Sequence, residues 1–306
     1  MPNSPHIHNG SSTNRIMIDV MIALIPAFAA SVIFFGPEAL LLTAVVITAS
    51  IAFDWGFRLI IKKDTRSIID PAVVLTALIF ALGIPTHTPL WLAVMAAGVA
   101  IIMVKHIAKR IFGGIFRSTL NPALIGHMAV TFFAVYTIYY PVAMGWMGGV
   151  DAVTAATPLR AAIEGYALPT TLELFLGTHG GTIGETSILA LLIGGGYLVW
   201  RRVISLVIPL TFIGTTILTL TIAGQDPLFH LLSGALVFVA IFMATDYVTS
   251  PTTLKGKIIF GIGCGVITAL MRLYGWSTEG VSIALIAMNF ATPLIEKFTL
   301  PRRAEE

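Results

Sequence analysis

Residues 16–61 read IMIDVMIALIPAFAASVIFFGPEALLLTAVVITASIAFDWGFRLII, two long apolar runs separated by the turn residues GPE. A hydrocarbon core of roughly 30 Å takes about 20 helical residues to cross. The stretch therefore predicts a transmembrane helical hairpin, with helices over 16–35 and 38–61. The pattern recurs, predicting further helices over 70–84, 88–107, 120–140, 185–200, 203–223, 228–246, 256–273 and 279–297. The fold class is thus an all-α integral membrane protein of about ten transmembrane helices, with residues 1–306 as a single polytopic membrane domain.

Composition agrees. Of 306 residues, 57% are hydrophobic and 11% charged, against about 25% charged in a soluble domain. The net charge of +3 is small and its basic residues sit in short loops. That is a topology signal and speaks against a nucleic-acid partner. The first 15 residues, MPNSPHIHNGSSTNR, contain no apolar core of a cleavable leader, so the first run is expected to be retained. Cys264 is the sole cysteine. It can form no internal disulfide and cannot alone supply a four-thiolate Fe–S cluster, so it is expected to pack between helices.

Lysine and arginine placement sets the expected orientation. Lys62, Lys63 and Arg66, then Lys109, Arg110 and Arg117, then Arg201 and Arg202 follow even-numbered helices; Lys255 and Lys257 lead into the ninth. The tail adds Lys297, Arg302 and Arg303, whereas the long 141–184 connection carries only Arg160. Both termini are expected in the cytoplasm and the 141–184 loop outside. The domain then reads as a cytoplasmic segment 1–15, a five-helix half 16–140, the outer loop 141–184, a second half 185–297 and a cytoplasmic tail 298–306. An odd-numbered repeat must insert upside down the second time. PAVVLTALIFALGIPTHTPL at 71–90 echoes SGALVFVAIFMATDYVTSPTTL at 233–254, and LNPALIG echoes FATPLIE. Two inverted five-helix repeats are expected, with binding sites at their interface and at short or broken helices.

Ionisable residues inside the bilayer are costly and are functional candidates. Asp54 has Arg58 one turn away, an arrangement read as an interfacial ion pair or, more sharply, as an ion-path station opening to the cytoplasm. Asp70 before Pro71 reads as an N-cap with proline at the first helical position. His127 and Asp246 are expected to pair or pack. No chain of buried carboxylates crosses the membrane, which argues against a self-contained proton pump, and no catalytic residue or metal site is assigned. Glycine clusters at 194–196 and 261–265 read as helix-packing devices.

The outer loop contains DAVTAATPL at 151–159, placing Asp151, Thr154 and Thr157 at intervals of three before a proline. A threonine hydroxyl needs an activating partner to react. An aspartate could help a visiting enzyme hold Mg²⁺ for phosphoryl transfer. The pattern equally suits a bare N-cap. The run GGTIGETS at 180–187 offers backbone N–H groups at a helix start, which suit an anion. It lacks the lysine and preceding strand of a P-loop.

These stretches, with GGIFRSTLNPA at 113–123, GGTIGETSILALLIGGGYL at 180–198, MATDYVTSPTT at 243–253, GKIIFGIGCGVITALMRLYG at 256–275 and EGVSIALIAMN at 279–289, carry a resemblance over nearly the whole chain. The sequence resembles the RnfD/NqrB family: the RnfD subunit of the Rnf ion-translocating electron-transport complex and, more distantly, the B subunit of the sodium-translocating NADH:quinone reductase. The resemblance implies covalent FMN on the last threonine of a D-x-x-S/T-x-A-T motif, here Thr157, with Asp151 and Thr154 at the positions a flavin transferase recognises. The family often has glycine where this chain has Ala152 and Ala155. Gly184 and Thr186 are the expected vicinity of the FMN phosphate, the plain Gly-rich helix start being the alternative.

The resemblance further implies a multi-pass subunit of the prokaryotic inner membrane that relays electrons on the outer side. The complex as a whole exchanges electrons between NADH and ferredoxin and moves Na⁺ or H⁺. The chain has no NAD fingerprint and no cluster cysteines, so it is an incomplete enzyme by itself. Its implied partners are a flavin-bearing G-type subunit, membrane A/E-type subunits and Fe–S and NADH-binding B/C-type subunits, besides the transferase and the lipid bilayer. Non-covalent riboflavin, as in the related reductase subunit, is a further expectation. The reading from another class is a ten-helix solute channel of the urea-channel kind without a redox cofactor.

Overall fold

The computed structural model describes residues 13–61, 67–108, 120–133, 140–141, 154–155, 157–275 and 279–300. Helix α1 (Thr13–Phe35) and helix α2 (Pro37–Ile60) meet at Gly36, whose φ of 71° suits the tight reversal that Pro37 then seeds as a helix. Helix α3 (Pro71–Leu82) starts as expected, the Asp70 carboxylate accepting the Ala72 N–H at 2.9 Å. Helix α4 runs from Leu90 to Ala108, and its last ten residues, Val99–Ala108, widen into π-helix. Helix α5 (Pro122–Phe133) follows.

Among the described residues, five helices are long and apolar enough to cross a membrane: α1, α2, α4 and the later α12 (Leu254–Leu273) and α13 (Gly280–Thr299). Helices α3, α5, α8 (Ile188–Trp200) and α9 (Val207–Ile222) are shorter and equally apolar. The expected 228–246 helix is broken into α10 (Pro227–Leu232) and α11 (Leu236–Phe238), the latter continued by π-helix over Val239–Met243. Gly234, at φ 67°, makes the break. Two further short helices, α6 (Pro158–Glu164) and α7 (Thr171–Leu176), lie between α5 and α8. Among the described residues the fold is all-helical as expected, apart from a two-residue antiparallel ladder, β1 (Tyr140–Pro141) against β2 (Thr154–Ala155).

The short helices create a problem that the fold solves locally. Twelve residues of α3 rise only about 18 Å, so the irregular chain after Leu82 lies buried and needs hydrogen-bond partners from protein. The 177–187 segment provides them: Ile183 N–H donates to the Ile84 carbonyl at 3.1 Å and Gly184 N–H to the Leu82 carbonyl at 2.6 Å. At the second break Arg272 of α12 donates to the carbonyls of His230 at 2.5 Å and Ser233 at 3.0 Å.

Lipid offers no hydrophobic drive between helices, so close backbone approach must supply the packing. Gly194 brings α8 onto α1; a Cβ there would run into the Ala23 carbonyl. Gly265 does the same for α12 on α9, where a Cβ would stand 2.8 Å from the Phe212 carbonyl. Cys264, next to Gly265 on α12, is fully buried, the packing role expected for it. Gly194→Val should cost about 1–3 kcal/mol of overpacking, seen as a lower Tm of the detergent-solubilised chain, whereas Gly196→Ala, with open space around it, should not lower Tm.

Candidate functional site

Charged side chains cluster at the two ends of the bundle. At the end holding Arg58, Lys105 and Arg201, the Asp54 side chain is 2% exposed. Its Oδ1 accepts from Lys105 Nζ at 3.0 Å and lies 2.9 Å from His106 Nε2. Arg58 Nε sits 2.8 Å from Oδ2, but its N–H is not aimed at the oxygen, so this contact is charge attraction rather than a hydrogen bond. Lys105 also donates to Asp70 Oδ2 at 2.8 Å, and His106 stacks on Phe57. The π-helical end of α4 carries Lys105 and His106 into this cluster, as π segments often do at functional positions. The ion-path candidate thus already has three basic neighbours. Nearby, Asp19 of α1 accepts from Tyr197 at 3.0 Å and from Arg201 at 3.2 Å. Sequence reasoning missed Asp19, although a lone acid within an apolar run was the available signal.

At the opposite, loop-bearing end, His127 of α5 lies 2.7 Å from Glu279, the residue before α13. Charged pairs thus join α1 to the end of α8 and α5 to the start of α13, at opposite ends of the bundle. Glu185 is partly covered, its Oε1 accepting the Thr182 N–H at 3.2 Å. Burial, reinforced by the charge of Glu279, pushes the Glu185 carboxyl up to about 7 from 4.5. Such a group binds its proton more tightly folded than unfolded. The stability it contributes is complete below about pH 4.5 and is lost as pH rises through about 7, up to about 3 kcal/mol in all. Glu185→Gln should therefore flatten the fall of Tm between pH 5 and pH 8 and be the more stable chain at pH 8; an unchanged slope would place the titration elsewhere.

Thr157 is half-buried and is the N-cap of α6, its Oγ1 accepting the Arg160 N–H at 3.3 Å. Thr154 lies in β2, and Asp151 lies outside the described residues. Gly184 spends its N–H on Leu82, and a Cβ there would stand 2.6 Å from the Leu82 Cβ. Thr186 is 1% exposed, and Ser187 caps α8 by accepting the Ala190 N–H at 3.4 Å. The GGTIGETS turn is thus folded against α3 and keeps its donors inside.

Two cavities flank these elements. One of about 360 Å³ lies between α6 and the α9–α10 and α12 ends, bordered by Leu159, Phe229, His230 and Arg272. The other, about 440 Å³ and mostly apolar, opens between the halves at the Lys105 end, against Val20, Leu75, Asn121, Leu198, Phe242 and Asp246. Both fall in the roughly 300–1,000 Å³ range of small-molecule sites. Among the described residues no group of three or more His, Cys, Asp or Glu is arranged to hold a metal ion.

A family model described as the NQR2, RnfD, RnfE family matches residues 1–305. The chain is 42% identical to the D subunit of the Na(+)-translocating ferredoxin:NAD(+) oxidoreductase complex of Acetobacterium woodii, covering 98% of this chain and 93% of that one. It is 39% identical to the D subunit of the proton-translocating ferredoxin:NAD(+) oxidoreductase complex of Clostridium ljungdahlii, covering 97% and 93%. Identity is 31% to the D subunit of the ion-translocating oxidoreductase complex of Mannheimia succiniciproducens, covering 98% and 96%.

Proposed function

Because the chain belongs to the NQR2, RnfD, RnfE family, we propose that it is the membrane subunit of an Rnf-type complex that carries electrons on FMN esterified to Thr157. As its relatives are, it is one subunit of an ion-translocating oxidoreductase complex, and the redox reaction is completed on other subunits. Two relatives of nearly equal identity are named for different ions, Na⁺ and the proton.

The observation that carries the flavin reading is the position of Thr157: a half-buried hydroxyl at the start of α6, on the loop-bearing end, beside a 360 Å³ cavity with unpartnered polar atoms. Attachment breaks the P–O bond between the flavin phosphate and the leaving group of an activated flavin donor, forms the Oγ–P bond and releases the hydroxyl proton, so the adduct on the chain is FMN less water. Asp151 and Thr154 serve transferase recognition in this reading, and the β1–β2 ladder holds Thr154 close to the start of the loop. When bound, the flavin supplies electron acceptance and donation; the chain's residues seat it and exclude water. The 440 Å³ cavity is the candidate seat for non-covalent riboflavin.

The same reading takes α1–α5 and α8–α13 as inverted halves, with α10 and α11 as one interrupted span, both termini cytoplasmic and the Thr157 loop outside. Helix pairing supports it. Helix α2 packs on α3 and α4, and α4 on α5; α9 packs on α10 and α12, and α12 on α13. Under the exchange of halves α1 maps onto α8, and those two pack on each other. The third span is short and the eighth interrupted, the kind of helix at which transporter folds of this type place their sites. Flavin reduction then biases a hinge between halves whose ties are Asp19–Arg201 and His127–Glu279. Fluorescence of the chain's own band in a denaturing gel tests the flavin against the solute-channel reading. A dark band from protein made together with its transferase would favour the channel.

A further inference from the structure

Resting on the covalent-flavin reading above, we propose that the isoalloxazine ring of the Thr157-linked FMN lies in the cavity beside α6, with Arg272 and His230 at its polar pyrimidine edge. Leu159, Ala162 and Ile163 form one face of α6 and wall the cavity on the side of the attachment point. They stand at i, i+3 and i+4, the spacing that puts helical side chains on one side. Leu159 is two residues from Thr157, so the ribityl chain needs only to follow α6 into the opening. Phe229 and Met271 give the far wall an apolar surface for a planar ring.

The polar groups there are incompletely used. His230 is 7% exposed, yet its Nδ1 has no partner among the described residues. The Arg272 Nε is likewise buried without a partner. Its two Nη atoms are fixed on the His230 and Ser233 carbonyls, and among the described residues no carboxylate forms an ion pair with it. Capping the broken helix accounts for the Nη atoms. It leaves the Nε, the His230 Nδ1 and the cavity without a use. Asp226, the acid at the rim, is engaged in capping α10 through the Leu228 N–H at 2.9 Å. A fixed guanidinium beside the ring favours the negative charge that an added electron brings.

The test uses the full chain, produced with its flavin transferase and purified in detergent, after intact mass has verified the Thr157 adduct. Arg272→Leu should weaken the ring's hold on an electron tenfold or more, a midpoint potential lower by about 59 mV for a one-electron couple, and Arg272→Lys should restore most of it. Ala162→Phe keeps the arginine and fills the cavity from an exposed position on α6. It should at least double iodide quenching of the flavin and erase its visible circular dichroism. Adduct present with potential, quenching and dichroism unaltered in both Arg272→Leu and Ala162→Phe would overturn the ring's placement. Wild-type chain with no adduct on Thr157 would overturn the covalent reading, and the placement with it.

Discussion

Thr157→Ala, made together with the flavin transferase, should yield a chain whose intact mass is that of the bare polypeptide and whose gel band is dark, where the wild type gains FMN less water. The effect should be complete, because a threonine hydroxyl is the only atom at that position able to form the ester. Alanine also removes an N-cap, which costs about 1 kcal/mol, so loss of flavin could be charged to a disordered α6. Thr157→Asn separates the two causes. Asparagine caps as well as threonine or better, and it offers no hydroxyl to esterify. Both variants should lose the flavin, while Asn keeps the thermal stability of α6. Flavin retained in Thr157→Asn would place the attachment at another residue.

Asp54→Asn should be the most destabilising single change in the Asp54–Lys105 cluster, by about 3–5 kcal/mol, the usual cost of leaving a buried charge without its partner. Lys105, Arg58 and His106 all converge on this one carboxylate. Of the three, Lys105 keeps Asp70 and Arg58 keeps the Ile68 carbonyl at 3.2 Å, so the loss should sit toward the lower end. If orphaned cations are the cause, Asp54→Asn combined with Lys105→Met should recover much of the lost Tm, a non-additivity expected of contacting residues. Ion transport at normal electron flux then separates structure from transport: a stable double variant that still couples would remove Asp54 from the ion path.

How much of this was legible in the sequence follows from the kind of signal each feature leaves. Apolar length and the GPE turn announce α1 and α2, and Asp70-Pro71 announces the start of α3, because span length and capping are local chemistry. The interruption at Ser233-Gly234 was hidden inside an apolar run, since the carbonyls it frees are satisfied by Arg272 from far along the chain. The Asp54–Arg58 pair could be read from its i, i+4 spacing; Lys105 and His106 could not, because a π-helical turn rather than a regular one brings them there. GGTIGETS looked like an anion cradle, yet its glycine packs against Leu82. Thr157 stood out by its motif, and its place at a helix start agrees with the N-cap alternative as well as with the flavin reading.

The most direct measurement is peptide mapping by mass spectrometry of the wild-type chain isolated from its own membranes. The account predicts that the peptide containing residues 151–160 carries FMN less water on Thr157, in near-stoichiometric amount. An unmodified peptide from a complex that transfers electrons at full rate, or the flavin on Thr154 instead, would contradict it.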